Sequence, residues 1–519
     1  MFREALERGA FVVTVEMVPG RGPAGPGLDT PAAFARRVRE TGLGVHALSL
    51  TDNPGGGAAV SPDAIAREVR DAGLDVLVHM ACRDMNRNAF EARASALSRD
   101  GLHQVLALTG DYPTAPAGTI ARPVFDVDAV QAVHFLKRMN EGLAVPGRKP
   151  GTTETLAPTR FLVGAAVSPF KMTEEELVGQ FLKLDRKIAA GADFIIPQLG
   201  YNMRRFLELR RYLGARGHRV PVFGNVYVLS YGVARAMHAG QVPGCVVPDT
   251  LLQRLKDESA EADKGKAKRL DRAARMIAVF RGMGFHGVHL GGFGLKFEDV
   301  AMLLETAEKM QRDWESMTGD VAFEGDGEWY LFPPPTSWRP DAPPDSDPIP
   351  ALRGGRGGPA YAFMRGVHDT FFDPGRAGYR ACRAWYRAID GRRALSGANH
   401  AAERAVKGVL FGCRDCGDCG LPDTAFRCPE SNCPKGQRNG PCGGTRPGGQ
   451  CEVYEDRPCL WIEVIRRLKA VGRLEDLRGP MLPGRDPALQ YTSGWANFYL
   501  GRDYQARRPG APSSSDAED

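Results

Sequence analysis

The chain has 519 residues, 43% hydrophobic and 25% charged, with a formal net charge of +6. That length is too great for one core, so two or three domains are expected. The small, scattered charge gives no reason to expect nucleic acid or a membrane surface as partner. The opening MFREALERGAFVVTVEM lacks the apolar core of a signal peptide, no run approaches about 18 apolar residues, and a cytoplasmic protein is expected.

Taken in order, strand-like runs are Phe11–Met17, His46–Leu50, Val76–Met80, Val105–Leu108, Phe161–Val167, Phe194–Pro197, Val220–Val226 and Gly287–Leu290. Amphipathic helical stretches lie between them at Ala32–Thr41, Pro62–Ala72, Arg87–Leu97, Val127–Asn140, Glu174–Ala190, Met203–Ala215 and Lys264–Met283, and Phe297–Gln311 follows the last strand. Eight strands alternating with helices is the arithmetic of an α/β fold, the (β/α)₈ TIM barrel, over residues 1–315. An open doubly wound sheet is the runner-up, but no G-x-G-x-x-G follows the first strand. Residues 316–375 form a Pro/Gly-rich linker, with FPPPTSWRPDAPPDSDPIPALRGGRGGP as an extended connector at 332–359. Residues 376–500 form a small cysteine-rich metal-binding domain, α+β or mainly α, with helical patterning at Tyr379–Ile389, Ala401–Val409 and Trp461–Leu474. By composition, 501–519 is a disordered tail.

Barrel active sites lie at the C-terminal ends of the strands. Those ends carry Glu16, Thr51-Asp52-Asn53, His79 with Cys82, Asp111, Ser168, Gln198, Asn225 with Tyr227 and Tyr231, and Gly291-Gly292. Singly, each has an ordinary structural explanation: Asp111 could cap a turn, Glu16 could be a salt-bridged loop residue, and Arg186-Lys187 could be a solvated helix face. Together they make a rim of acids, amides, hydroxyls and aromatics. A partly desolvated Glu16 is expected to have a raised pKa suited to a general acid.

VEMVPGRG after the first strand, HMAC at the third, LTGDYP at the fourth, RKIAAGADFIIPQ into the sixth and VFGNVYVLSYG at the seventh resemble the methylenetetrahydrofolate reductase family, in order over about the first 310 residues. The resemblance implies a FAD-dependent barrel that reduces 5,10-methylenetetrahydrofolate to 5-methyltetrahydrofolate. Glu16 would protonate N10 to open the five-membered ring, and hydride would pass from reduced FAD to the 5-iminium cation. Asp111 would sit between flavin and pterin and stabilise that cation. Gln198 would bond the pterin edge, and Tyr231 would pack on the aminobenzoyl ring. Thr51, His79, Gly110, Asp111, Ala166, Ser168, Arg186 and Lys187 would hold the flavin, the two cations meeting its pyrophosphate. NAD(P)H is the implied candidate donor. Four positions depart from the family's pattern: Thr109 replaces an arginine, Gln180 and Lys183 replace acidic and amide residues, and after the eighth strand only Lys296 stands near where an arginine is common.

Of eleven cysteines, Cys413, Cys416, Cys419, Cys428, Cys433, Cys442, Cys451 and Cys459 cluster within one stretch. C-x₂-C-x₂-C followed by two Cys-Pro pairs, without histidine, suits a [4Fe–4S] cluster or Zn(Cys)₄, and eight thiolates could serve two sites. The region resembles the extra domain found with some bacterial members of the family, including those linked to iron–sulfur partners. That leaves open a redox partner protein beside the folate substrate, and self-association as a homo-oligomer. The rival readings are a folate-binding methyl-transfer or demethylation component, and a flavin- or folate-binding docking protein. A carrier has no use for a ring-opening acid.

Overall fold

The structure is a computed structural model describing residues 1–114, 119–339, 345–355 and 357–508. Its strands are β1 (Val12–Met17), β2 (Ala47–Leu50), β3 (Asp75–Ala81), β4 (Gln104–Leu108), β5 (Ala144–Pro146), β6 (Thr153–Thr155), β7 (Leu162–Val167), β8 (Phe194–Pro197), β9 (Phe223–Tyr227) and β10 (Gly287–Gly291). Eight of them form one parallel sheet in the order β8-β7-β4-β3-β2-β1-β10-β9. A parallel bridge between Ile195 and Val222 closes β8 on β9, completing a (β/α)₈ barrel. The strands are apolar on both faces because one face fills the barrel and the other lies under helices.

The N-terminal helix Phe2–Glu7 plugs the bottom of the barrel. Phe2 meets the rings of Phe194 and Phe223 edge-on, with centroids 5.4 and 5.9 Å away. The opposite end, where every barrel strand finishes, is therefore the free one.

Several elements differ from expectation. β9 begins at Phe223 rather than Val220 because Pro221 has no N–H for the ladder; its carbonyl instead accepts from Ile195 N at 2.8 Å. A short hairpin, β5–β6, had no counterpart among the expected elements. Between β9 and β10 lie three helices, Tyr231–His238, Asp249–Glu258 and Lys266–Gly282, where one was expected.

The expected linker 316–375 contains the helical turn ending at Val321 and the helix Pro359–Phe371. The connector is pinned along the barrel: Arg211 holds Asp345 at 2.6 Å, Arg478 holds Asp347 at 2.6 Å, and Ile349 is fully buried. Beyond it the described residues form helices and irregular loops, joined by one bridge, Gln450 to Pro458. Helix Leu460–Ala470 packs its apolar face on the barrel helix Glu174–Ala189, fastened by Lys469–Glu174 at 2.6 Å and Arg466–Glu175 at 3.0 Å. Trp461, Ile465 and Leu468 thereby join the barrel's own core. The tail assigned to 501–519 needs correcting at its start: Tyr504 is 1% exposed and its N–H donates to Asp418 Oδ1 at 2.7 Å. Residues 509–519 lie outside the described residues.

Candidate active site at the barrel mouth

Glu16, on β1, and Asp111, just past β4, both stand at the C-terminal end of the barrel. Glu16 Oε2 lies 3.2 Å from His289 Nε2 on the neighbouring β10. The other ring nitrogen of His289 meets Thr14 Oγ1 at 2.8 Å, so its orientation is fixed from both sides. His79 bonds Ser49 Oγ at 2.8 Å and stacks near His289, with centroids 6.5 Å apart. One ligand atom from each of Glu16, His79 and His289 lies within 4.8 Å of the others.

The raised Glu16 pKa expected from burial is not found. Burial does push it up, but the His289 hydrogen bond and the charges of His289 and His79 outweigh it, and the carboxyl titrates below its ordinary value. Burial drives His79 down to about 4, so it is neutral near pH 7 and His289 is the effective partner. Sequence reasoning passed over His289, although a polar residue inside the run GVHLG was a readable signal.

Asp111 is presented by a tight loop. Gly110 adopts φ +88°, Gly55 N donates to Asp111 Oδ2 at 2.8 Å, and Arg83 Nη1 donates to its carbonyl at 3.2 Å. The two acids converge: the buried thiol of Cys245 is pushed up to about 12 by burial and then by the charges of Asp111 and Glu16 together.

On the β7 side, Ser168 N donates to Gln180 Oε1 at 3.4 Å, and Lys187 Nζ donates to the Ala166 carbonyl. Burial brings Lys187 down to about 7. Arg186, one residue earlier, points elsewhere, as helix geometry requires of neighbours. It is buried in the seam with the C-terminal region, where Asp423 and Asp128 are the opposite charges acting on it. Gln198 Oε1 is held by Leu199 N at 2.9 Å, and Tyr231 opens the helix after β9. So Glu16, Thr51, His79, Gly110, Asp111, Ala166, Ser168, Lys187, Gln198 and Tyr231 gather at one end, and Arg186 sits beside it.

The residues expected to hold a flavin can be tested for unmet hydrogen bonds. Among the described residues, Thr51 Oγ1, Ser168 Oγ, and Arg186 Nε and Nη1 are buried without a partner. Two of the eight expected flavin contacts that reach the mouth, Thr51 and Ser168, thus carry unpartnered hydroxyls, which fits a polar ligand there, since such groups are costly to leave unmet. The unpartnered Arg186 nitrogens lie in the seam beside it.

The cysteine-rich region roofs this mouth. Lys435 Nζ donates to the Gly110 carbonyl at 2.9 Å and pairs with Glu452 at 2.6 Å. Lys171 Nζ donates to the Gly443 carbonyl at 2.6 Å and meets Thr445 Oγ1 at 2.9 Å. Lys183 Nζ is shared by Gln437 Oε1 at 2.9 Å and the carbonyls of Gly440 and Pro441. Thr109 Oγ1 reaches Gln437 at 3.3 Å, and Gly443 packs beside Ser168 and Gln180. Thr109, Gln180 and Lys183, which depart from the family's pattern, are therefore the barrel residues that receive the roof. A cavity of about 340 Å³ opens in the same seam, lined by Lys171, Glu176, Cys245, Thr445 and Glu452.

All eight clustered cysteines are free thiols, none fully exposed. Main-chain N–H groups of Asp415, Asp418, Ser431, Gln437, Gly444 and Trp461 donate to the sulfurs of Cys413, Cys416, Cys428, Cys433, Cys442 and Cys459 respectively. Such donors stabilise metal-bound thiolates. No helix among the described residues is long and apolar enough to cross a membrane.

These features define a (β/α)₈ barrel with two carboxylates at its mouth, roofed by a cysteine-rich module. Residues 1–307 match the family model for methylenetetrahydrofolate reductase, and residues 393–486 match that for the methylene-tetrahydrofolate reductase C terminal. The chain belongs to the methylenetetrahydrofolate reductase family. Among curated proteins it is 22% identical over 258 residues to methylenetetrahydrofolate reductase 2 of Schizosaccharomyces pombe, covering 48% of this chain and 38% of that one. It is 22% identical over 209 residues to methylenetetrahydrofolate reductase 1 of the same yeast, covering 39% and 32%. The matches thus span about a third of those relatives' length. Among solved structures, an uncharacterized protein from Clostridium thermocellum that binds two copies of 5-methyl-5,6,7,8-tetrahydrofolic acid aligns with a TM-score of 0.41 and 12% identity, over 60% of this chain and 99% of that one. At that score the likeness says nothing of this chain's ligand.

Proposed function

We propose that the chain is a flavin-dependent oxidoreductase that reduces 5,10-methylenetetrahydrofolate to 5-methyltetrahydrofolate. The observation that carries this reading is that Glu16, on β1, and Asp111, just past β4, stand at the same C-terminal mouth of one parallel barrel. Family membership over residues 1–307 supports it.

In this reading Thr51, Ser168 and Lys187 would hold FAD, and Arg186, beside the mouth, would add positive charge for its anionic part. Reduced flavin bound there would supply the hydride. Glu16 delivers a proton to N10 of the folate, opening the five-membered ring and leaving a 5-iminium cation. At rest its contact with His289 holds the carboxyl below its ordinary pKa; with that contact broken, burial is opposed only by His79 and moves the carboxyl toward the protonated acid. Asp111, held by Gly55 N, stays in place as the anion facing the iminium charge. Gln198 and Tyr231 position the pterin and the aminobenzoyl ring. The roof over β4 and β7 keeps bulk water from that side, which strengthens each of these electrostatic effects. The cysteine module binds metal, and a protein electron donor would dock on it.

The test is anaerobic. Purified protein is checked for flavin, then mixed with 5-methyltetrahydrofolate and an artificial acceptor. Bleaching of the flavin followed by acceptor-dependent formation of methylenetetrahydrofolate is expected; a flavin that stays oxidised with folate bound would overturn the reading.

A further inference from the structure

We propose that the eight cysteines form two separate four-thiolate iron–sulfur sites: an outer one of Cys413, Cys416, Cys419 and Cys428, and an inner one of Cys433, Cys442, Cys451 and Cys459 set against the barrel mouth. The proposal deepens the reading of the module as a metal-binding one.

The outer four line a single small cavity of about 30 Å³ that includes none of the inner four. Positive φ at Asp415 (55°) and Gly417 (70°) turns the chain between Cys413 and Cys419. Asp415 N reaches Cys413 Sγ at 3.3 Å from the first of these turns. The inner four are gathered by the chain's own geometry. The Gln450–Pro458 bridge sets Cys451 and Cys459 side by side, Cys451 N donating to the Arg457 carbonyl at 3.0 Å and Cys459 N to the Gly449 carbonyl at 2.9 Å. Glu452, next to Cys451, meets the Cys442 thiol at 3.3 Å and pairs at 2.6 Å with Lys435, two residues beyond Cys433.

Each set also has its own buried ammonium: Lys407 lines the outer cavity, while Lys435 pairs with Glu452 beside the Cys442 thiol and Lys171 donates to the Gly443 carbonyl, one residue past Cys442. An all-thiolate centre carries net negative charge, and a buried lysine beside each offsets it. Lys435 joins the roof to the Gly110 carbonyl and Lys171 joins the barrel to the roof's Gly443, so the inner site abuts the mouth. The Cys442 thiol reaches Glu452 Oε1 at 3.3 Å, and Lys435 between them is placed to neutralise that carboxylate once the sulfur is ionised.

Ligand type and sequence spacing point to iron. The outer set opens with the tight triple Cys413-x₂-Cys416-x₂-Cys419, the spacing of a bacterial iron–sulfur run, and no histidine lies among the eight ligands.

Anaerobically purified full-length protein is assayed for iron, acid-labile sulfide and zinc, and after dithionite reduction for spins by EPR. About eight iron and about two spins per chain are expected. Cys416→Ser and Cys442→Ser should each remove about half the iron. About four iron with one spin in the unaltered protein, or zinc in place of iron, overturns the proposal, as does either variant keeping all its iron. These readouts are independent of flavin and folate, so a full iron count without folate turnover would leave this inference standing while the proposed function fell.

Discussion

Glu16 Oε2 and His289 Nε2 face each other at 3.2 Å across adjacent strands β1 and β10, with His289 anchored behind by Thr14. The pair explains why a buried acid at the barrel mouth titrates low rather than high. It also makes the imidazole the control on the proposed proton donor.

Replacing His289 with asparagine removes the imidazole's hydrogen bond and charge and leaves burial opposed only by His79. The Glu16 pKa then rises, and the limb of the kcat/KM profile that it governs moves to higher pH. A pH series on the flavin half-reaction checks this; an unmoved limb would mean that His289 does not control the acid. Stability follows the same sign: with its pKa lowered in the fold, Glu16 stabilises the protein at neutral pH, and this is lost as pH falls through that lowered value.

Lys187 is brought down to about 7 by burial, so the fold favours its neutral form. An anionic pyrophosphate favours the charged form. Flavin binding should therefore take up a proton, and affinity should fall by up to about tenfold per pH unit above 7. Fluorescence titration of flavin across pH measures the slope, and Lys187→Gln should flatten it. Without ligand the sign runs the other way, since a depressed lysine destabilises the fold below its ordinary pKa and the penalty fades as pH rises.

Lys183 holds the roof by three acceptors. Lys183→Met leaves Gln437 and the Gly440 and Pro441 carbonyls without that donor, a cost of about 1–3 kcal/mol. Thermal unfolding should shift down, and limited proteolysis within the connector 332–359 should quicken. Unchanged proteolysis would mean that the apolar face of Leu460–Ala470 suffices to dock the module.

Gly56 sits at φ +75°, and a Cβ there would collide with the Tyr112 carbonyl. Gly56→Ala should cost about 2 kcal/mol or more and displace the loop on which Gly55 N holds Asp111. Folate KM should rise together with the loss of stability, read by steady-state kinetics and thermal melts.

The barrel was legible because strands buried on both faces give short unbroken apolar runs, as in ALSL of β2 and FIIP of β8, and because helices between them keep a 3.6-residue period. The rim was legible because parallel strands deliver their last residues to one end. Long-range pairing was not. Nothing local in the sequence tells that Lys183 will be capped by Gly440 and Pro441, so Thr109, Gln180 and Lys183 read as gaps in a flavin pattern when they are docking residues. Nor does anything local show that Lys435, between Cys433 and Cys442, sends its ammonium to the Gly110 carbonyl. The pKa of Glu16 was misjudged for the same reason, since burial is visible in a sequence and a partner 273 residues away is not. Composition suggested a tail from 501, but the buried Tyr504 holds the chain in place as far as 508.

The central claim is that Glu16 is the proton donor for ring opening. Its most direct test is a single-turnover stopped-flow measurement: dithionite-reduced, flavin-loaded protein is mixed with 5,10-methylenetetrahydrofolate, and flavin reoxidation is followed in the unaltered chain and in Glu16→Gln. The account predicts rapid reoxidation by the former and a rate about 10²–10⁴ lower in the variant, with folate binding preserved. Equal rates in both would contradict it.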